Sequence, residues 1–166
     1  MRRMIIGFSI VAVVILLFMP TPRLVIEEVK EGERLQAIPL TWFDHFEICY
    51  THSVDREPVC EVFKVKFGKG IVLHETSFRM FGAGMGHWAG HGYVVREGGW
   101  IKIKEIDELL GKFLLRIGSR GVDHILSVKG KRINLTEQAE GKLVEVKIET
   151  QPWMLSLIRA LRADHD

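Results

Sequence analysis

Six side chains able to hydrogen-bond, carry charge or exchange protons, Tyr50, His52, Glu61, Glu75, Ser77 and Arg79, fall in one stretch, and a glycine-rich run from Phe81 to Gly92 follows them. Carboxylates beside histidine or arginine can bind ligands, hold a metal or move protons. Serine chemistry needs a histidine in reach of the hydroxyl. His52 and Ser53 are neighbours in an extended segment, so their side chains point to opposite faces and cannot form that pair, which leaves Ser77. His87 and His91 have the spacing of two ligands on one helical face, but Gly84, Gly86, Gly90 and Gly92 argue against a helix there. The run also lacks the Gly-Lys-Ser/Thr ending of a phosphate loop and the spacing of a dinucleotide fingerprint. No catalytic residue, metal ligand or cofactor is therefore assigned. Gly82 and Gly84 instead permit turns and close approach, and Trp88, with glycines at 86 and 90 on either side, is a contact candidate unless it folds back over the domain's own core.

Two β-hairpins are expected to position the polar set. A loop Ser53–Arg56 pairs His52 with Glu57, Tyr50 with Val59, Cys49 with Cys60 and Ile48 with Glu61, since antiparallel partners share a constant sum of residue numbers. The two cysteines then face each other closely enough for a disulfide, with packed free thiols as the alternative. A Gly68-Lys69-Gly70 loop pairs Phe67 with Ile71, Val65 with Leu73, Phe63 with Glu75, Glu61 with Ser77 and Val59 with Arg79. On this registration Tyr50, His52, Glu61, Glu75, Ser77 and Arg79 share one end of an otherwise apolar face. A lone carboxylate there is costly, so Glu61 and Glu75 should pair with Arg79 or His52, or open to a cleft. An internal ion-pair network that fixes register and a ligand or partner site weigh equally.

Period-two patterning predicts further strands over Arg23–Val29, Tyr93–Arg96, Trp100–Ile103, Phe113–Ile117, His124–Val128, Arg132–Leu135 and Leu143–Thr150. The expected fold is mainly β, an antiparallel β-sandwich or open barrel. Ile106–Gly111 reads as a short helical turn. Pro152–Ala163 reads as an amphipathic terminal helix with Trp153, Met154, Leu157, Ile158 and Leu161 on its apolar side.

At the N-terminus, Met1-Arg2-Arg3 precedes an uncharged run from Met4 to Met19 that ends at Pro20-Thr21-Pro22. Its length lies between the roughly 7–15 residues of a signal-peptide core and the roughly 17–25 of a membrane span. No small-x-small cleavage pattern follows, which favours an uncleaved signal anchor over a removed signal. The positive flank then places the rest of the chain outside the cytoplasm. Residues 1–22 are thus expected to be a transmembrane anchor with a proline linker, and 23–166 a single extracytoplasmic domain. A net charge of +2 with interspersed signs implies no nucleic-acid partner. Asn134-Leu135-Thr136 fits a glycosylation sequon and is assigned no role.

Tyr50-Thr51-His52-Ser53-Val54, Pro58-Val59-Cys60-Glu61, Glu75-Thr76 and Phe81-Gly82-Ala83-Gly84 together resemble the family of domain of unknown function 1850. The resemblance implies a small membrane-anchored exported protein encoded beside TRAP transporters of the TAXI type, with a transporter membrane subunit or solute receptor as partner. Met85-Gly86 departs from the Leu-Pro that usually follows the GAG element. Two functions are carried forward: a noncatalytic accessory domain that docks on a transporter, and a small-ligand or metal-binding domain with hydrolytic chemistry.

Overall fold

A computed structural model describes residues 15–79, 90–155 and 158. Among these residues eleven strands form two antiparallel sheets, an arrangement consistent with a β-sandwich. The larger sheet has the order β10-β9-β3-β4-β5-β7-β6. It comprises β3 (His45–Thr51), β4 (Pro58–Lys66), β5 (Gly70–Phe78), β6 (Tyr93–Glu97), β7 (Trp100–Gly111), β9 (Ile125–Val128) and β10 (Lys131–Asn134). The smaller sheet, order β2-β1-β11-β8, comprises β1 (Pro20–Glu28), β2 (Arg34–Pro39), β8 (Phe113–Arg116) and β11 (Leu143–Pro152). Apolar residues of both sheets make one core, with Leu24, Ile26, Val144 and Val146 on one side and Phe46, Ile48, Phe63 and Leu126 on the other. Phe63 stacks on Phe46 and on Phe113, each at 5.0 Å between ring centroids, so the aromatic column ties the sheets together.

The first hairpin has the expected register. Tyr50 pairs with Val59, Cys49 with Cys60 and Ile48 with Glu61, and the His52 N–H donates to the Glu57 carbonyl at 2.8 Å. Cys49 and Cys60, with Cα atoms 4.1 Å apart, are joined by a disulfide.

The second hairpin departs from expectation twice. Near the turn Val65 pairs with Ile71 and Phe63 with Leu73, two places from the expected register, because Phe67-Gly68-Lys69 form the turn. Gly68 takes the left-handed φ of +67° that such a turn requires. Gly70 opens β5 at φ +81°, where an added Cβ would lie 2.4 Å from the Gly111 carbonyl oxygen of β7. Further along, a bulge between Val62 and Phe63 lets β5 carry one more residue than β4, so Val62 pairs with Glu75, Glu61 with Thr76, Cys60 with Ser77 and Val59 with Phe78.

His74 is the extra residue, and its ring anchors the bulge. Lys64 Nζ donates to Nε2 at 2.9 Å, and Nδ1 donates to Asp107 Oδ1 at 3.0 Å. The hydrogen bond from His74 holds the Asp107 carboxyl below the usual carboxylate range, aided by the charges of Lys66 and Lys64 against a smaller opposing desolvation. Opposite the bulge, β7 is irregular too, with Glu105 at φ +56° and Asp107 at +46°. The helical turn expected over Ile106–Gly111 is instead the second half of β7, because pairing with β5 continues to Ile71↔Gly111.

Two elements escape the period-two pattern. Edge strand β2 is RLQAIP, without clean alternation. A short helix, Leu135–Ala139, starts at Asn134, whose side chain accepts from the Thr136 N–H; the sequon-like triplet is thus a helix cap. Pro20, Thr21 and Pro22, expected as linker, are the first residues of β1 and face Pro152, Gln151 and Thr150. Both prolines precede the start of pairing with β2 at Arg23, where a missing N–H is tolerated. Residues 15–18 and, beyond β11, residues 153–155 and 158 are helical. Met154 lies in this helical start, while Leu157 and Leu161 of the expected terminal helix lie outside the described residues. No helix among the described residues is long and apolar enough to cross a membrane, and most of the Met4–Met19 run lies outside them.

The disulfide closes a short loop across the β3–β4 hairpin that carries Glu61. Replacing both cysteines by alanine is expected to cost about 2–3 kcal/mol through a less constrained unfolded chain. Urea denaturation should show the wild type falling to the variant's stability on reduction, with the variant indifferent to reductant. A wild type unaffected by reductant would refute the cross-link's contribution.

Candidate functional site

The extra residue in β5 divides the polar set expected on one face. Tyr50 and Glu61 stay on the inner face, among Ile48, Val59, Phe63 and Phe78. Glu75 and Ser77 turn to the outer face, opposite Val62 and Cys60, and the Ser77 hydroxyl donates to the Cys60 carbonyl at 3.5 Å. Arg79, just past β5, lies with its guanidinium 5.0 Å from the Trp100 ring centroid, beside an open depression of about 520 Å³ also lined by Arg96 and Gly98–Gly99. Tyr50, Val59, Phe78, Ile101 and Arg96 occupy one cross-strand row. Four strand spacings therefore put Tyr50 and Arg96 about 19 Å apart. Among the described residues Arg79 turns to Trp100 and no bond joins it to Glu61, so the expected single cluster is two separate features at one end of the large sheet. Gly82, Gly84 and Trp88 lie outside the described residues.

Around Tyr50 the site gains a residue that the sequence pattern did not single out. His124 is buried and its ring stacks on Tyr50 at 5.2 Å with an interplanar angle of 16°. Its Nδ1 accepts from the Gly118 N–H at 3.1 Å, and its own backbone N–H donates to Thr136 Oγ1 at 3.0 Å. Burial holds its imidazole below the usual pKa, opposed by the Asp123 charge, so the ring is a neutral stacking surface with its proton on Nε2. Beside it, the Thr51 N–H donates to the Val122 carbonyl at 2.8 Å, joining the 52–57 turn to the loop before β9.

In that turn His52 Nδ1 lies 3.4 Å from both Asp55 Oδ2 and the Asp55 backbone nitrogen. The two contacts need opposite states of Nδ1. Protonated, it faces the carboxylate; neutral and unprotonated there, it accepts the N–H. Asp55 Oδ2 is buried and makes no hydrogen bond, so the 3.4 Å contact is an electrostatic approach rather than a formed bond.

Glu61 is the group that ordinary packing does not explain. It is half-buried on an apolar face, and among the described residues no hydrogen-bond donor or cation pairs with it. Burial pushes its carboxyl above the ordinary range. Tyr50 next to it is also raised, first by burial and then by the Glu61 charge. A carboxylate without a partner among the described residues retains hydrogen-bonding capacity.

The other chemistries fare differently. The Ser77 hydroxyl bonds the Cys60 carbonyl while the His52 ring lies against Asp55 in the 52–57 turn, so they do not form a nucleophile and base. Among the described residues two groups of possible metal ligands are close together. In Glu47-Cys49-Cys60 the sulfurs are bonded to each other. Glu28-Glu31-Glu33 surrounds Lys142 Nζ, at 2.6, 3.8 and 3.8 Å, which supplies the cation itself.

A family model described as a domain of unknown function (DUF1850) matches residues 46–135. That span holds the large sheet from β3 through β10 together with β8, whereas β1, β2 and β11 lie outside it. No curated protein and no solved structure matches the chain.

Folding raises the Glu61 pKa above its unfolded value, so the neutral carboxyl favours the fold; that contribution is complete below the unfolded pKa and is lost as pH rises through the folded one. Glu61→Gln, which does not ionise, is expected to exceed the wild type at neutral pH by on the order of 1 kcal/mol per unit of raised pKa. The difference should close in acid. Thermal melts of both proteins across the pH range check this, and a gap that is absent at neutral pH or widens in acid rejects it.

Proposed function

We propose, since this chain belongs to the family of domain of unknown function 1850, that it is a noncatalytic accessory domain of a TAXI-type TRAP solute transporter. Its N-terminal segment holds it in the cell membrane as a single-pass anchor, with one domain, whose first strand begins at Pro20, outside the cytoplasm. The observation that carries this reading is the polarity of the sandwich. β1 begins and β11 ends at one end, where Pro20 faces Pro152, and Glu61, Tyr50 and His52 lie toward the other. Nine-residue strands such as β4 separate the ends by roughly 30 Å.

A domain so oriented presents its unpartnered carboxylate away from the anchor, toward a permease or solute receptor. A Cys49–Cys60 disulfide suits an oxidising compartment. Recognition on this reading is electrostatic and orientational: Glu61 and Tyr50 on a rigid, cross-linked hairpin accept or donate hydrogen bonds across the interface without changing covalent bonds.

Purification from detergent-solubilised membranes tests this. The wild type should bring down a transporter subunit or receptor. Tyr50→Ala and Glu61→Gln, each verified as folded by its melting curve, should retain about tenfold less, a loss of about 1.4 kcal/mol. An unchanged partner list for both folded variants would overturn the docking role.

A further inference from the structure

The end of the sandwich opposite Glu61 carries exposed aromatic groups, Phe43, Phe67 and Trp153, beside Trp42, which is partly buried against the core. The β2–β3 loop projects Phe43, 95% exposed, and the neighbouring Trp42 packs edge-on against Phe67 of the β4–β5 turn at 5.0 Å. Trp42 Nε1 donates to the Pro20 carbonyl at 3.2 Å, which fixes this aromatic tip to the point where β1 begins. Across the same end the Trp153 N–H donates to the Met19 carbonyl at 2.9 Å. Leu16, Met19, Thr21 and Trp153 line a largely apolar hollow of about 310 Å³. One loop, a hairpin turn, the start of β1 and the end of β11 therefore converge on one apolar tip.

The same end is rimmed by cations. The β4–β5 turn brings Lys66 and Lys69, and the β9–β10 turn brings Lys129 and Lys131. Lys129 Nζ reaches back to the Pro39 carbonyl at 3.4 Å and to Asp44 at 3.6 Å, so that turn lies against the β2–β3 loop. An apolar tip of Trp and Phe ringed by lysines is the composition found where proteins meet the bilayer interface. Aromatic rings lie at headgroup depth, and lysines extend their charge to the phosphates. The apolar run of the sequence ends at Met19, one residue from the carbonyl that Trp42 holds. A bilayer that accepts that run is thus within reach of Phe43.

We propose that this tip, Trp42, Phe43, Phe67 and Trp153 with its lysine rim, is a second membrane contact that seats in the interface of an anionic bilayer and holds the domain upright on its anchor. The inference rests on the anchored reading above. It adds that the domain is docked on the lipid rather than swinging on a tether, which fixes the height at which Glu61 is presented.

Site-directed spin labelling of the full chain in vesicles distinguishes the two. The native cysteines are bonded to each other, so Phe43→Cys and, at the far end, Val54→Cys, 72% exposed in the wild type, each provide one labelling site. In vesicles of phosphatidylglycerol and phosphatidylcholine, the label at 43 should be about tenfold less accessible than that at 54 to an aqueous nickel chelate, and the more accessible to oxygen. The shielding should weaken in phosphatidylcholine alone. Equal nickel accessibility at the two sites, with the chain still floating with the vesicles, overturns the docked tip and leaves the anchor standing. Shielding accompanied by spin–spin broadening identifies a second copy as the cover and also overturns it. Equal shielding in both lipids removes the headgroup-reading rim. A chain that does not float refutes anchor and tip together.

Discussion

One additional residue in β5 decides what the large sheet buries. Ile71 and Leu73 face the core on odd positions, Thr76 and Phe78 on even ones, and the change of parity occurs at His74. A regular strand would turn Phe78 outward. The bulge retains Phe78 in an inner cluster with Val59, Ile101, Ile103 and Ile106, and Lys64 and Asp107 secure the displaced ring on the outer side. Histidine suits the position because one ring nitrogen can accept from an ammonium while the other donates to a carboxylate. β7 changes parity in turn between Ile103 and Ile106, taking up the mismatch with positive φ at Glu105 and Asp107. Irregular backbone in one strand is thus matched by irregular backbone in its neighbour.

The same device isolates Glu61. With Glu75 and Ser77 turned outward, the inner carboxylate keeps only apolar cross-strand neighbours, Thr76 and the Tyr50 ring. A second acid or a base beside it would make proton transfer between side chains the natural reading. Among the described residues Glu61 stands alone, with its hydrogen-bonding capacity unused. The neutral, stacked His124 contributes rigidity to Tyr50 rather than a charge.

The two hairpins differ in how far they could be read from residues alone. A short loop and opposed cysteines made the first self-consistent, because local pairing admits few registers. The second contained its own warning, an apolar set that moves from odd to even positions across His74, but pattern alone does not say where an extra residue is accommodated. Such an irregularity is settled by the third strand, β7, which lies far along the chain. His124 was invisible for the same reason: β9 joins β3 across more than seventy residues. Turn geometry also displaced Phe67 from strand to exposed tip, where its value is outward rather than in the core.

The β1 ladder joins nearly opposite extremes of the polypeptide, Pro20 with Pro152. During synthesis the first strand can zip to β2 at once, yet its second flank stays vacant until the last strand has emerged. Leu24, Val25 and Ile26, all fully buried at completion, spend that interval beside an open row of amides and carbonyls. The nascent chain therefore has a built-in vulnerable period whose length scales with translation time, and a premature stop anywhere before Leu143 leaves a sticky, half-built sheet.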